Sequence, residues 1–184
     1  SEQPEMEVYK MYLKELFRQQ EHLLSEKEEV IMAHASSIMS GPYSVYSVFA
    51  NTELPYPNVT LSTGETVKLN QAGYSKYRAS TNRNDRELVF ESFWSAMKNF
   101  QATLAEQLLA GVNANIFVAR ARLYDSALES ALDPYNIPVN VYHSLIDHVN
   151  ENLPVFHRYL SLRKRMLEVD TLKYSDLYLS LIHI

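Results

Sequence analysis

A chain of 184 residues, 46% hydrophobic and 21% charged, is long enough to bury a core of its own, and with only four glycines it favours helix over an all-β fold. The absence of cysteine excludes disulfides and thiolate metal sites and suits a reducing compartment. A net charge of −5 without an extended basic stripe argues against nucleic acid as a partner, and no apolar run approaches the roughly 20 residues that span a bilayer. The first residues also lack the features of a signal peptide. The expectation is a soluble cytoplasmic chain with no membrane or nucleic-acid partner.

In chain order, Pro4 to Gln20 reads as an amphipathic helix with Met6, Tyr9, Leu13, Leu16 and Phe17 on one side. Ser25 and Glu28 form a capping box that opens a second helix, in which Val30, Ile31 and Ile38 face inward and which Gly41 and Pro42 end. A short helical piece with Val45, Tyr46 and Phe49 leads to Pro55 and Pro57. From about residue 56 to 69 the period shortens to two: Val59 and Leu61 alternate with polar residues, as do Val67 and Leu69 after the turn Ser62-Thr63-Gly64-Glu65. That pattern predicts a small β-hairpin. Asn70 caps the helix that follows.

From Asn84 or Asp85, apolar residues recur from Val89 through Phe93, Met97, Phe100, Leu104 and Leu108 to Ile116 and Ala119. They predict one helix of about 35 to 40 residues, far above the usual mean of roughly 11 to 12. Tyr124, Asp125 and Ser126 break the period. Ser126 is placed to cap Ala127 to Leu132, with Glu129 completing a capping box, and Asp133 and Pro134 stop that segment. Two further helices follow, Val139 to Glu151 and Pro154 to Glu168, each started by a proline. The predicted fold is mainly α, an antiparallel long-helix assembly that buries three apolar stripes, with one small β-hairpin.

Ala119, Arg120, Arg122, Tyr124, Ser126, Ala127, Leu128, Glu129, Ala131 and Leu132, followed by Asn136, Ile137 and Pro138, form a long ungapped pattern. This pattern resembles the oligoendopeptidase F branch of the thimet-oligopeptidase-like zinc metallopeptidases. The likeness runs from about Tyr9 to about Tyr178, includes the hairpin, and ends on Asp176-Leu177-Tyr178, which matches a short signature of that family. It implies a mostly helical two-lobed zinc endopeptidase that encloses a deep channel and hydrolyses internal bonds of short peptides. On this reading residues 1–75 are the N-terminal helical region with the hairpin, and 76–184 the start of the peptidase domain, cut before a missing C-terminal catalytic region. The tail Leu179 to Ile184 departs from the family, and Ser1 stands where an initiator would, so both ends are expected to be incomplete.

Zinc peptidases of this kind use His-Glu-x-x-His on a helix. None of His22, His34, His143, His148, His157 or His183 is followed by glutamate. His143 and His148, with Asp147 or His157 as a third ligand, are the nearest substitute, but five residues on a helix leaves the pair about 140° apart. Surface histidines are the simpler reading. Arg120 and Arg122 with Asp125 and Glu129 form either a buried polar cluster or a substrate-carboxylate site, the first being favoured. Glu26, Glu28 and Glu29 complement a helix N-terminus, and Arg163, Lys164 and Arg165 read as a solvated face near a helix C-terminus. The 13 tyrosines suit core edges better than a peptide groove. No catalytic, metal-binding or substrate-contacting residue is assigned. Zinc belongs to the parent enzyme, this chain binding none, and the alternative function is a non-catalytic helical peptide-binding or scaffold module.

Overall fold

The computed structural model describes residues 4–181, with side chains from residue 7; the readings made on the side chain of Met6, on Ser1 and on the last three residues lie outside it. The fold is mainly α with one two-stranded antiparallel hairpin, as expected. Its elements are α1 (Lys10–Arg18), α2 (Glu26–Met39), α3 (Gly41–Val48), β1 (Asn58–Thr60), β2 (Thr66–Lys68), α4 (Gln71–Tyr77), α5 (Arg83–Lys98), α6 (Gln101–Ala121), α7 (Ala127–Leu132) and α8 (Val139–Met166). The chain divides into two compact units, one of Ser1–Tyr43 with Gln107–Asp147 and the other of Ser44–Glu106 with His148–Ile184.

In the first unit, the expected helix from Pro4 to Gln20 is α-helical only over α1, with 3-10 turns at Pro4–Tyr9 and Gln19–His22 on either side. The Ser25–Glu28 capping box is formed, the Ser25 N–H donating to Glu28 Oε2 at 2.9 Å. One expectation for α2 is corrected: Val30, Ile31 and Ile38 are exposed, and Met32 is the buried residue. The helix stops at Met39, just before Gly41 and Pro42 as expected, and those two residues open the short helix α3, because proline fits a first helical turn, where an N–H has no intrahelical acceptor. Ser126 caps α7 as predicted, accepting from the Glu129 N–H at 3.0 Å, while Glu129 reaches back to the N–H of Asp125 at 3.0 Å.

In the second unit the hairpin pairs Asn58 with Lys68, Val59 with Val67 and Thr60 with Thr66. Val59 and Val67 point inward and join Leu61, Leu69, Tyr74, Val89 and Phe93 in one core. Phe93, Leu69 and Val89 are fully buried, each worth about 1.5–3 kcal/mol. Tyr74 stacks on Phe93 with ring centroids 4.2 Å apart. Gly64 turns the hairpin at φ +85°. Gly73 sits so close to the hairpin that a β-carbon there would meet the Lys68 carbonyl oxygen at 2.1 Å. Asn70 caps α4 through the Gly73 N–H at 2.8 Å.

The long central helix is instead two. Asn82, rather than Asn84 or Asp85, caps α5, accepting from both of those N–H groups. α5 ends at Lys98 and α6 begins at Gln101. At the junction the Phe100 N–H bonds the Met97 carbonyl three residues back, and the Phe100 ring packs edge-on against Phe49 at 5.0 Å. The apolar period runs through this tight turn unchanged, which is why spacing alone does not reveal it. The opposite error occurs at Pro154, which lies inside the continuous α8 and does not start a new helix. Proline at a helical φ leaves only the Asn150 carbonyl without its donor, in a stretch exposed to solvent. The α8 stripe of Val141, Leu145, Val149, Val155, Tyr159, Leu162 and Met166 is not buried as expected: each residue is between 45% and 63% exposed.

Candidate functional site

The turn after α6 organises the first unit. Leu123 takes φ 61°, and the Tyr124 N–H returns to the Ala119 carbonyl at 2.9 Å, so α6 ends in a left-handed residue. Arg122 then forks onto Glu29 of α2, with both nitrogen–oxygen distances 2.9 Å. Its own carbonyl meets His22 Nδ1 at 2.9 Å, and His22 stacks on Tyr124 at 3.6 Å between centroids. The Tyr124 hydroxyl donates to Asp133 at 2.8 Å; Asp133 also receives Arg18, which in turn bonds Glu15 at 2.8 Å. Burial first, then the hydrogen bond to Asp133, pushes the Tyr124 phenol up to about 12. Hydrogen bonding to Arg122 and to the Leu24 N–H lowers the Glu29 carboxyl.

The sequence groups Arg120 and Arg122 with Asp125 and Glu129. The structure separates them: Arg120 is exposed, Glu129 serves the turn, and Arg122 pairs with Glu29 at 93 positions' remove. The Arg122 guanidinium donates to both Glu29 carboxylate oxygens and to the His22 carbonyl, which ties the turn after α6 to α2 and to the segment before it.

A second ionic hub lies in the other unit. Asp176, fully buried, accepts from Arg83 at 3.0 and 3.3 Å, from Arg86 at 2.8 Å and from the Lys173 N–H at 3.0 Å. Its carbonyl receives Arg163 through Nη2 at 2.7 Å and Nε at 3.1 Å. Burial raises the Asp176 carboxyl, but Arg83, the Lys173 N–H and Arg86 outweigh it and hold it at about 2. Arg163 is 4% exposed, which corrects its reading as part of a solvated basic face; Lys164 and Arg165 beside it do face solvent. The hub pins the segment after α8 to α5, aided by Lys173 on Glu87 at 2.7 Å and by Arg78 over the Tyr178 ring at 3.7 Å. Asp176 stands in the family-like signature, yet nothing in its sequence neighbourhood points to Arg83 or Arg86, about 90 positions earlier.

Among the described residues the histidines do not converge. His34, His143, His148 and His157 are exposed on α2 and α8, and His22 is engaged at the turn. Among the described residues no group of three His, Asp or Glu side chains is placed to hold a metal ion. The residues present do not fit a peptidase zinc, since the sequence has no His-Glu-x-x-His. The tyrosines divide: Tyr74 is buried and Tyr56 and Tyr77 pack on the core, whereas Tyr12, Tyr43 and Tyr135 are among those well exposed.

A groove of about 480 Å³ lies in the first unit. Val112, Asn115 and Val118 of α6 line one side, and Ala127, Leu128, Ser130 and Ala131 of α7 the other. The capped turn at Leu123–Ser126 sets the angle between these helices and so creates the groove.

Comparison with known proteins assigns a family. The model described as oligopeptidase F matches residues 1–56, and that described as peptidase family M3 matches residues 76–180. The chain is 32% identical over 181 residues to oligopeptidase PepF of Bacillus subtilis (strain 168), spanning 98% of this chain and 27% of that protein. It is 34% identical over 177 residues to group B oligopeptidase PepB of Streptococcus agalactiae, spanning 96% and 30%. The crystal structure of oligoendopeptidase-F from Enterococcus faecium matches with a TM-score of 0.90 at 36% identity, over 97% of this chain and 35% of that one. The chain thus spans less than a third of the length of these two curated relatives.

Proposed function

The chain belongs to peptidase family M3, and from that premise we propose that it is the N-terminal part of a zinc oligoendopeptidase, forming one wall of the channel that admits short peptides. Residues 1–75 are read as the N-terminal helical region with the hairpin, and 76–184 as the start of the peptidase domain. The observation that carries the proposal is the pairing of a backbone that follows an oligoendopeptidase over 97% of this chain with a sequence that lacks the zinc-binding helix motif. Catalysis therefore rests with residues outside this chain: zinc activates the attacking water there. These 184 residues restrict access and hold substrate. The cytoplasm, where short peptides are processed and cysteine-free proteins need no oxidising compartment, is the location we assign.

Purified protein of this sequence is expected to leave an internally quenched bradykinin-like peptide intact and to hold no stoichiometric zinc. Chelator-sensitive cleavage by a pure preparation would refute the proposal. A second reading, a non-catalytic helical peptide-binding or scaffold module, is favoured by the missing motif alone. It predicts a monodisperse protein, whereas a channel wall with an uncovered α8 stripe binds hydrophobic dye and self-associates.

A further inference from the structure

Helices α1 and α2 contribute little apolar burial to the first unit. α1 buries no residue and α2 only Met32, while Leu16, Phe17, Leu23, Val30 and Ile38 stay exposed. What joins the two helices to the turns on either side of α7 is a row of side-chain bonds. Arg18 reaches the Asp133 carboxylate, and its Nη2 donates to the Asp133 carbonyl at 2.8 Å. Asn136 donates to Glu15 at 2.9 Å. Glu29 receives the Arg122 fork, and His22 Nδ1 donates to the Arg122 carbonyl. The four side chains of the two ion pairs keep between 16% and 37% of their surface exposed, so salt screens them in part. Where α2 ends, the chain passes through Ser40 into α3 at Gly41, where an added β-carbon would meet no atom within 4 Å, so this junction has room to bend. The second unit is held differently, by the fully buried Leu69, Val89 and Phe93. A segment with few buried apolar contacts opens at lower free energy than one with such a core.

We propose that α1 and α2 together form a strap that opens as one piece from the turns flanking α7, pivoting at Ser40–Gly41, with the ion pairs Arg18–Asp133 and Glu29–Arg122 as its latch. The latch is electrostatic, so salt loosens it while the second unit stays folded. This conformational device is a property of the 184 residues themselves and does not rest on the peptidase reading.

The test is hydrogen–deuterium exchange of the 184-residue chain in dilute solution, read by mass spectrometry. Peptides from residues 10–39 are expected to exchange together, about tenfold or more faster than those from residues 83–98 of α5. Raising the salt to about 1 M, where the screening length falls to about 3 Å, is expected to speed the 10–39 exchange about threefold or more while residues 83–98 hold their rate. Arg18→Gln with Glu29→Gln, which removes the strap's side of both ion pairs, is expected to do the same at low salt. Glu29→Arg with Arg122→Glu is expected to exchange more slowly over residues 10–39 than Glu29→Arg alone, because opposite charges face each other again. The salt experiment uses the unaltered protein and so decides the matter even where a variant fails to fold. One common rate for both segments makes α1 and α2 part of a single cooperative fold. Fast exchange over residues 10–39 that neither salt nor the paired substitutions change assigns it to fraying of marginal helices. Either result overturns the proposal.

Discussion

Replacing Asp176 by asparagine tests whether the hub that pins the chain beyond α8 is ionic or only steric. The amide keeps the size of the carboxylate but removes its charge and presents an NH₂ group to one of the guanidinium N–H donors of Arg83 or Arg86, which lie 2.8–3.3 Å away. The carboxyl sits at about 2 against an ordinary 3.8. At roughly 1.4 kcal/mol per pH unit, that gap is worth about 2 kcal/mol at neutral pH. Breaking one side of a buried pair costs about 3–5 kcal/mol in general, so Asp176→Asn is expected to lose about 2–5 kcal/mol at pH 7. A carboxyl with a depressed value stabilises above its ordinary pH range and loses that contribution as the pH falls. The wild-type and variant curves should therefore converge between pH 4 and pH 2. Urea unfolding followed by Trp94 fluorescence reads this locally, because the sole tryptophan stands edge-on to Phe93 at 5.4 Å in the same unit. Equal midpoints at pH 7, or a gap that persists undiminished at pH 2, would show that charge at Asp176 does not hold the segment.

Gly73→Ala is expected to destabilise the same unit by several kcal/mol and to lower the Trp94 midpoint, because its β-carbon would meet a backbone oxygen at 2.1 Å rather than a side chain able to swing away; an unchanged midpoint would refute the close approach. In the first unit, the Tyr124 phenol should ionise late, near pH 12, in a spectrophotometric titration, and Tyr124→Phe should remove that step. The sign follows from the raised value: the Tyr124 contribution to stability is fully present below pH 10 and is lost as the pH climbs to about 12. A titration with no phenol delayed beyond pH 11 would contradict the buried bond to Asp133.

Local rules in the sequence determined the elements that depend on near neighbours. The Ser25–Glu28 box, the Asn70 and Ser126 caps and the hairpin from Val59 to Val67 all form where the residues predict. Each rests on a side chain and a backbone group a few positions apart, or on a period of two that one residue's slip would invert. The break in period at Tyr124 to Ser126 likewise marks the turn that ends α6, and the ungapped pattern from Ala119 to Pro138 is enough to carry the family resemblance.

Tertiary structure alone decided which polar groups meet. Glu29 with Arg122, Asp133 with Arg18 and Asp176 with Arg83 are joined across 93, 115 and 93 positions. A charge carries no address for its partner, because Coulomb attraction acts on whatever the backbone brings near. Helix continuity was likewise undecidable from spacing: the period passes unbroken through the turn at Asn99–Phe100, and Pro154 costs one hydrogen bond without ending α8. Burial also followed packing rather than pattern. Amphipathic stripes on α1, α2 and α8 state that a face is apolar, but only the assembled fold determines whether anything covers it, and in these 184 residues much of that surface stays open.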